Sequence, residues 1–437
     1  MKKILSFFAI AATIFALTGC GGGQAKQTAD APVTNVKHAD WVKNAVIYEV
    51  NVRQYSPESS FKAVTANLPR LKELGVDILW VMPPYPIGVE CRKGTWGSYY
   101  AITDYKAINP EFGTMEDFMD FVNAAHGMGF KVILDWVANH TAPDHPWTKE
   151  HPDWYYRDST GALVVRYDWT DIAQLNYESP GVADAMAGEM MFWVKECGID
   201  GFRCDVAYEV PTWFWDMATE KLRKENCNIF MLAEAEAADL LVNSFDAYYA
   251  WQNLHIMNDI AAGTKTLDDY RNFVNQHRTE FPDASISMNL ITNHDENSWN
   301  GTEFERYGEG VKAFAALTFA LPGMPLIYTG QEVGMNHRLE FFEKDPVNWN
   351  DPNNFTEFYK GLVAQYKAHP ALYNLADESP VVFIDTECKD QILAFSRTAG
   401  DDSVKCLFNL SAKEATITWD GAPLTIEPWG YRFFFAK

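Results

Sequence analysis
Short apolar runs alternate along most of this chain with longer segments whose apolar residues return every three or four positions. The first pattern suits a strand buried on both faces, the second a helix with one face on a core. Strands are therefore predicted at Ala45 to Val52, Val76 to Met82, Lys131 to Val137, Gly201 to Ala207, Ile229 to Ala235, Phe245 to Trp251, Ile286 to Thr292 and Pro325 to Tyr328. Helices are predicted between most of them, at Phe61 to Leu74, Met115 to Met128, Val182 to Glu196, Trp213 to Lys224 and Thr266 to Gln276. This alternation gives an α/β fold with a parallel sheet, and eight strands is the number that closes a (β/α)8 TIM barrel over residues 41–372. Residues 141–180 break the rhythm with many Trp, Tyr, Asp and Pro residues and no clear helix, so they read as a short excursion after the third strand.

Beyond about Leu372 the period shortens to two, as in Val381-Val382-Phe383-Ile384 and Tyr431-Arg432-Phe433-Phe434-Phe435, which predicts a small C-terminal antiparallel β-sandwich over 373–437. The other end differs in kind. Lys2 and Lys3 precede an apolar stretch from Ile4 to Leu17, too short to span a bilayer as a mature helix, and Leu17-Thr18-Gly19-Cys20 follows. Residues 1–20 resemble a bacterial lipoprotein signal in which Cys20 is lipidated, and residues 21–40, rich in Gly, Ala, Thr and Gln, read as a flexible tether. The expected location is the bacterial cell envelope, with the chain held by lipid at the outer-membrane surface or the periplasmic face.

Composition narrows the partners. The 437 residues carry 36 basic and 59 acidic side chains, a formal charge of −23, with no polybasic run, so nucleic acids and anionic membrane surfaces are poor partners. A neutral substrate is compatible, and 28 Phe, 20 Tyr and 15 Trp supply core as well as flat apolar faces. The cysteines after Cys20 have no metal-like spacing, and Cys204 inside a predicted strand reads as a small core residue.

Three carboxylates stand at the ends of separate apolar runs: Asp205 after Gly201-Phe202-Arg203-Cys204, Glu234 after Phe230-Met231-Leu232-Ala233, and Asp295 after Thr292-Asn293-His294. A charge at the end of a buried strand is costly without a partner or a task, and in parallel barrels that end carries the chemistry. Arg203, two residues before Asp205 on one strand, is expected to face the same side and to favour its ionised form.

The motifs Asp135-Trp136-Val137-Ala138-Asn139-His140, Gly201 to Asp205, Glu234 and Asn293-His294-Asp295, in this order, resemble the α-amylase family of glycoside hydrolases from about Ala45 through Trp349. The resemblance implies a retaining hydrolase of α-1,4-glucosidic bonds in starch, glycogen or maltodextrins, with Asp205 as nucleophile, Glu234 as general acid/base and Asp295 binding sugar hydroxyls. It also implies substrate contacts from Tyr100, His140, Arg203 and His294, and a barrel-organising role for Asp135. No cofactor is needed for such chemistry. A structural calcium is left open at Asn139 but not predicted, because Tyr208-Glu209 replaces the family's usual Lys-His pair and Gln174 stands where an acid is common. Val206, directly after Asp205, resembles the choice of members that also act on α-1,6 bonds. The alternatives are an α-glucan transglycosylase using the same carboxylates and a non-catalytic glycan-binding lipoprotein.

Overall fold
In the computed structural model, residues 33–437 are described apart from Arg278, Ala376, Asp377 and Lys437. The expected lipoprotein signal, Cys20 and most of the expected tether lie outside the described residues. Eight parallel strands close a barrel: β1 (Ile47–Val50), β2 (Ile78–Val81), β3 (Lys131–Trp136), β4 (Gly201–Cys204), β5 (Phe230–Ala233), β6 (Ala247–Tyr249), β7 (Ile286–Asn289) and β8 (Met324–Tyr328), with β8 pairing back onto β1. Alternation along the strands sorts the core. Ile47, Trp80, Ile133, Leu232, Tyr249, Met288 and Leu326 pack together in one cluster, while Tyr48, Leu79, Val132, Leu134, Phe202 and Met231 belong to another that includes the helices.

The helices are α1 (Phe61–Leu74), α2 (Met115–Gly127), α3 (Val182–Glu196), α4 (Thr212–Glu225), α5 (Trp251–Ala261), α6 (Leu267–His277), α7 (Val311–Ala320) and α8 (Phe355–Ala368). Their starts follow local chemistry. Ser60 caps α1 by accepting from the Ala63 N–H, and Thr114 and Asp117 form a reciprocal capping box at α2.

Seven of the eight predicted strands extend past the observed ladder, and three of them show the physical reason. The strand predicted at Ile286 to Thr292 stops at Asn289: Leu290, Ile291 and Thr292 are buried, but in the turn that leads to the site rather than in the ladder. Trp251 opens α5 instead of closing a strand, and β1 leaves the ladder before Val52, which starts a short helical turn at Val52–Tyr55. Apolar character reports burial, and burial continues past the last ladder hydrogen bond.

The excursion is pinned to the barrel by a two-stranded ribbon pairing His140–Thr141 with Ala173–Gln174, and it holds a short helix at Trp147–Glu150. After α8 come β9 (Val382–Phe383), β10 (Ile392–Ala399), β11 (Asp402–Asn409), β12 (Ala415–Trp419), β13 (Ala422–Ile426) and β14 (Tyr431–Ala436). They form an antiparallel four-stranded sheet, β9-β10-β11-β14, and a β12–β13 ribbon, with Ile392, Ala394 and Leu407 packed on Ala415, Ile417 and Ile426. Buried Arg397 of β10 donates to the carbonyls of Ala320, Leu372, Tyr373 and Ser379, fastening the sheet to the end of α7.

The chain is docked earlier than Trp41. Thr34 and Asn35 bond to the Leu241 and Val242 carbonyls, and His38 lies between Asp246 and the Ala284 carbonyl, so the tether expected to reach residue 40 is held from Thr34 onward. Among the described residues no helix is long and apolar enough to cross a membrane, and the six cysteines are free, with Cys204 buried in β4.

Candidate active site
The carboxyl ends of β4 and β5 lie side by side in register, Cys204 opposite Ala233, so the next residues, Asp205 and Glu234, leave neighbouring strands together. The Asp205 N–H donates to the Trp136 carbonyl at 2.8 Å and the Glu234 N–H to the Cys204 carbonyl at 3.0 Å, which fixes both backbones before either side chain acts.

Arg203 is the centre of charge. Its side chain points into the barrel, fully buried, where Nη1 donates to Asp135 Oδ1 at 2.8 Å and Asp205 Oδ1 at 3.1 Å, and Nε to the Tyr249 hydroxyl at 3.2 Å. Nη2 lies 3.0 Å from Glu234 Oε2, where the charges attract although the angle makes no hydrogen bond. The guanidinium therefore serves three acids and does not bias Asp205 alone, which corrects the expectation from strand alternation. Burial, then the charge of Glu234, hold the Asp205 carboxyl well above the usual carboxylate range against the pull of Arg203. Burial likewise raises Glu234, opposed by Arg203 and by the Val206 N–H that donates to Oε2 at 2.7 Å. Two adjacent buried acids facing one guanidinium resist ionising together, which favours a proton shared between them.

Val206 makes that last bond possible. It occupies the left-handed region at φ 36°, which is costly for a β-branched residue, and the turn aims its N–H at Glu234. Strain at this position sits beside the candidate nucleophile, a place where proteins tolerate it for geometry.

Asp295 comes from the turn beyond β7, just before a π-helical stretch at Glu296–Asn300, and its side chain is 37% exposed. It is held by His294 Nε2 at 3.3 Å and by the indole N–H of Trp299; burial opposes ionisation, but the charge and hydrogen bond of His294, with Arg203 and Trp299, together outweigh it and lower the Asp295 carboxyl. The charge of Asp295 acts on both Asp205 and Glu234, so the three acids form one electrostatic cluster. His294 is buried, with Nδ1 2.5 Å from Glu49 Oε1 and Nε2 2.7 Å from the Tyr100 hydroxyl. Tyr100 stacks on His294 and on Phe341 and donates to Asp135 Oδ2, which also accepts from Trp80. Asp135 thus joins Arg203, Tyr100 and Trp80 at the barrel end.

His140 stands apart from this charge cluster, against Asn139, the Tyr100 backbone and the ring of Trp169. Burial pushes its imidazole down to about 3, so it is neutral. Two exposed tyrosines rim the other side: Tyr208, after the strained turn, and Tyr167 of the excursion. Glu209 ties that rim together, accepting from Arg166 at 2.5 Å and from the Tyr167 hydroxyl at 2.8 Å. Glu49, Phe341 and Trp299 were not singled out from sequence. Glu49 had a signal, an acid within the apolar run Ala45 to Val52 on the same face as Ile47; the two aromatics had none beyond their proximity in sequence to other aromatics.

A calcium ion does not fit the residues around Asn139. Its Oδ1 faces the Gln174 amide and its Nδ2 faces His140, while buried Gln174 Oε1 adds a second neutral oxygen without a partner. Glu209 is engaged by Arg166 and Tyr167. Two amide oxygens fall short of the carboxylate-rich shell of six to eight oxygens that calcium takes. Among the described residues no group of three or more His, Cys, Asp or Glu is arranged to hold a metal ion.

A family model described as the alpha amylase catalytic domain matches residues 58–153, 148–231 and 217–368. Alpha-amylase MalA of Haloarcula japonica is 29% identical over 420 residues, covering 92% of this chain and 59% of its own length. The alpha-1,4-glucan:maltose-1-phosphate maltosyltransferase of Salinibacter ruber is 26% identical over 404 residues, 82% of this chain and 58% of its own length. The chain therefore spans less than two thirds of either relative. The crystal structure of an alpha-amylase from Lactobacillus plantarum aligns with a TM-score of 0.82 at 30% identity, over 90% of this chain and 99% of that one.

Proposed function
Because the chain belongs to the α-amylase family, we propose that it is a retaining hydrolase of α-1,4-glucosidic bonds in starch, glycogen or maltodextrins, with branch-point α-1,6 bonds as secondary substrates. The observation that carries this reading is the convergence of Asp205 and Glu234 on buried Arg203 at the carboxyl end of the barrel, with Asp295, held by His294, acting electrostatically on both. Glu234, holding the proton that the pair retains, gives it to the departing glycosidic oxygen. With that one proton on Glu234, Asp205 is an anion, and it forms the glycosyl ester at the anomeric carbon as the glycosidic bond breaks. Water, deprotonated by Glu234, breaks the ester from the same face, so two inversions return the α configuration. Asp295, kept ionised by His294, accepts from sugar hydroxyls, and neutral His140 can donate to another. All of this chemistry runs on side chains and water.

The deciding experiment follows the first product released from maltohexaose by NMR. Newly formed α anomer, together with a glycosyl adduct on the Asp205 peptide after treatment with a slow fluorinated glucosyl substrate, supports the reading; initial β anomer sinks it. The α-1,6 part rests on Val206 and is tested separately: pullulan branch points left intact while maltotetraose is consumed would remove it.

Transglycosylation is the second reading, supported by the exposed rings of Tyr208 and Tyr167 on the Glu234 side, where an acceptor sugar can rest. The relative in Salinibacter ruber is named a maltosyltransferase. Products longer than the substrate at high maltotriose would favour it. We also propose, from Leu17-Thr18-Gly19-Cys20, that the enzyme is anchored by lipid at Cys20 in the bacterial cell envelope. Cys20→Ala should lose lipid labelling and leave the membrane fraction, and unlabelled wild-type protein would overturn this.

A further inference from the structure
Glu49 is the one residue of the site whose cost has no return in the mechanism above. It lies in β1, fully buried, with Oε2 unpartnered and Oε1 2.5 Å from His294 Nδ1. A buried carboxylate oxygen without a partner is expensive enough that native structures keep few of them.

The hydrogen-bond directions around it are constrained. Tyr100 has a single hydroxyl proton, and at 3.1 Å it points to the Asp135 carboxylate, which already accepts from Trp80 and Arg203. The Tyr100 oxygen then accepts from His294 Nε2–H at 2.7 Å, a proton that also faces Asp295 Oδ2 at 3.3 Å. Burial raises the Glu49 carboxyl, while the charge and hydrogen bond of His294 and the charge of Arg203 oppose it, and a Glu49 carboxylate accepting through Oε1 requires a proton on Nδ1 as well. With Glu49 as a carboxylate, both ring nitrogens of His294 donate and the imidazole is a cation. We propose that Glu49 is a positioning residue that fixes His294 as an imidazolium, and that this buried cation in turn holds Asp295 ionised and oriented for the sugar.

The charged groups facing His294 agree with this. Glu49 comes from β1, Asp135 from β3, Glu234 from the end of β5 and Asp295 from the same turn, against the single guanidinium of Arg203 from β4. Burial alone would discharge the ring, but Asp295 and Glu49 outweigh it and raise His294 well above its ordinary range. The function of Asp295 is taken from the proposed hydrolase reading; the state of His294 is not, and it can be measured without any substrate.

The experiment is a histidine-selective ¹⁵N NMR titration of the whole protein, with His294 assigned by loss of its signals in His294→Gln. In the wild type both nitrogens should show imidazolium shifts at pH 7.5. Glu49→Gln keeps the acceptor oxygen but removes the charge, and should lower the midpoint of His294 by about one pH unit or more. On maltohexaose the alkaline limb of kcat/KM should move down with it, activity being recovered toward the acid side. A purely structural Glu49 would depress activity at every pH and leave the limb in place. A neutral His294 in the wild type at pH 7.5, or a midpoint unmoved in Glu49→Gln, overturns the proposal. Should Glu49→Gln fail to fold, the wild-type shifts and the charge-preserving Glu49→Asp, which should keep the imidazolium, decide alone. Absence of activity on any α-glucan would instead count against the proposed function and leave the NMR result standing.

Discussion
At the scale of single residues, Asp205 and Glu234 have separable losses. Asp205→Asn keeps the shape but cannot form the ester, so kcat on maltohexaose should fall about 10⁴-fold or more with binding largely preserved. Glu234→Gln should lower kcat about 10³-fold on the same substrate yet spare the first step for an aryl α-maltoside whose leaving group needs no proton, a contrast that burst kinetics would read. Equal losses of Glu234→Gln on both substrates would remove its acid role. These residues were legible because each is a charge at the end of an apolar run. Arg203 was legible by alternation, but not its reach to Asp135 and Glu234, since sequence along one strand says nothing of the strands on either side. Trp299 and Phe341 escaped because they meet Asp295 and Tyr100 through turns that carry no period.

Elements set where those residues stand. Gly201 opens β4 because nothing larger fits: a Cβ there would lie 1.9 Å from the Phe230 carbonyl oxygen of β5, and backbone cannot swing aside as a side chain can. Gly201→Ala should separate the two strands that carry Asp205 and Glu234, costing about 2–3 kcal/mol in denaturant unfolding and lowering kcat more than KM. Unchanged stability would mean that the strands shift without penalty. The excursion is held by Glu209, which joins Arg166 and Tyr167 to the turn after Asp205. Glu209→Ala should therefore weaken maltohexaose more than an aryl α-maltoside, about fivefold in kcat/KM for the loss of about 1 kcal/mol of acceptor binding. An equal effect on both substrates would place its influence on the nucleophile turn instead. The number and order of barrel strands were readable from apolar runs, whereas their ends were not, because the turns above the barrel are as buried as the ladder.

For the whole molecule, the barrel is fastened at two places that sequence did not announce. Arg397 joins the C-terminal sheet to α7 through backbone carbonyls, which have no sequence signature. At the other fastening, His38 is held 2.7 Å from Asp246, whose second oxygen already accepts from Arg223 and the Met231 N–H. Burial and Arg223 lower the imidazole, but the Asp246 hydrogen bond and charge with the Ala284 carbonyl outweigh them, and the folded value rises above the ordinary 6.5. A raised basic group stabilises the fold fully below its unfolded value and loses that contribution as pH climbs through the folded one. His38→Gln should therefore cost roughly 1–2 kcal/mol at pH 5.5, moderated because Asp246 keeps its other partners, and the deficit should shrink as pH rises past neutrality. Thermal unfolding of the two proteins from pH 5.5 to 9 reads the difference. A deficit that stays constant with pH would show that His38 holds the N-terminal segment by packing and neutral hydrogen bonds, with no contribution from its charge.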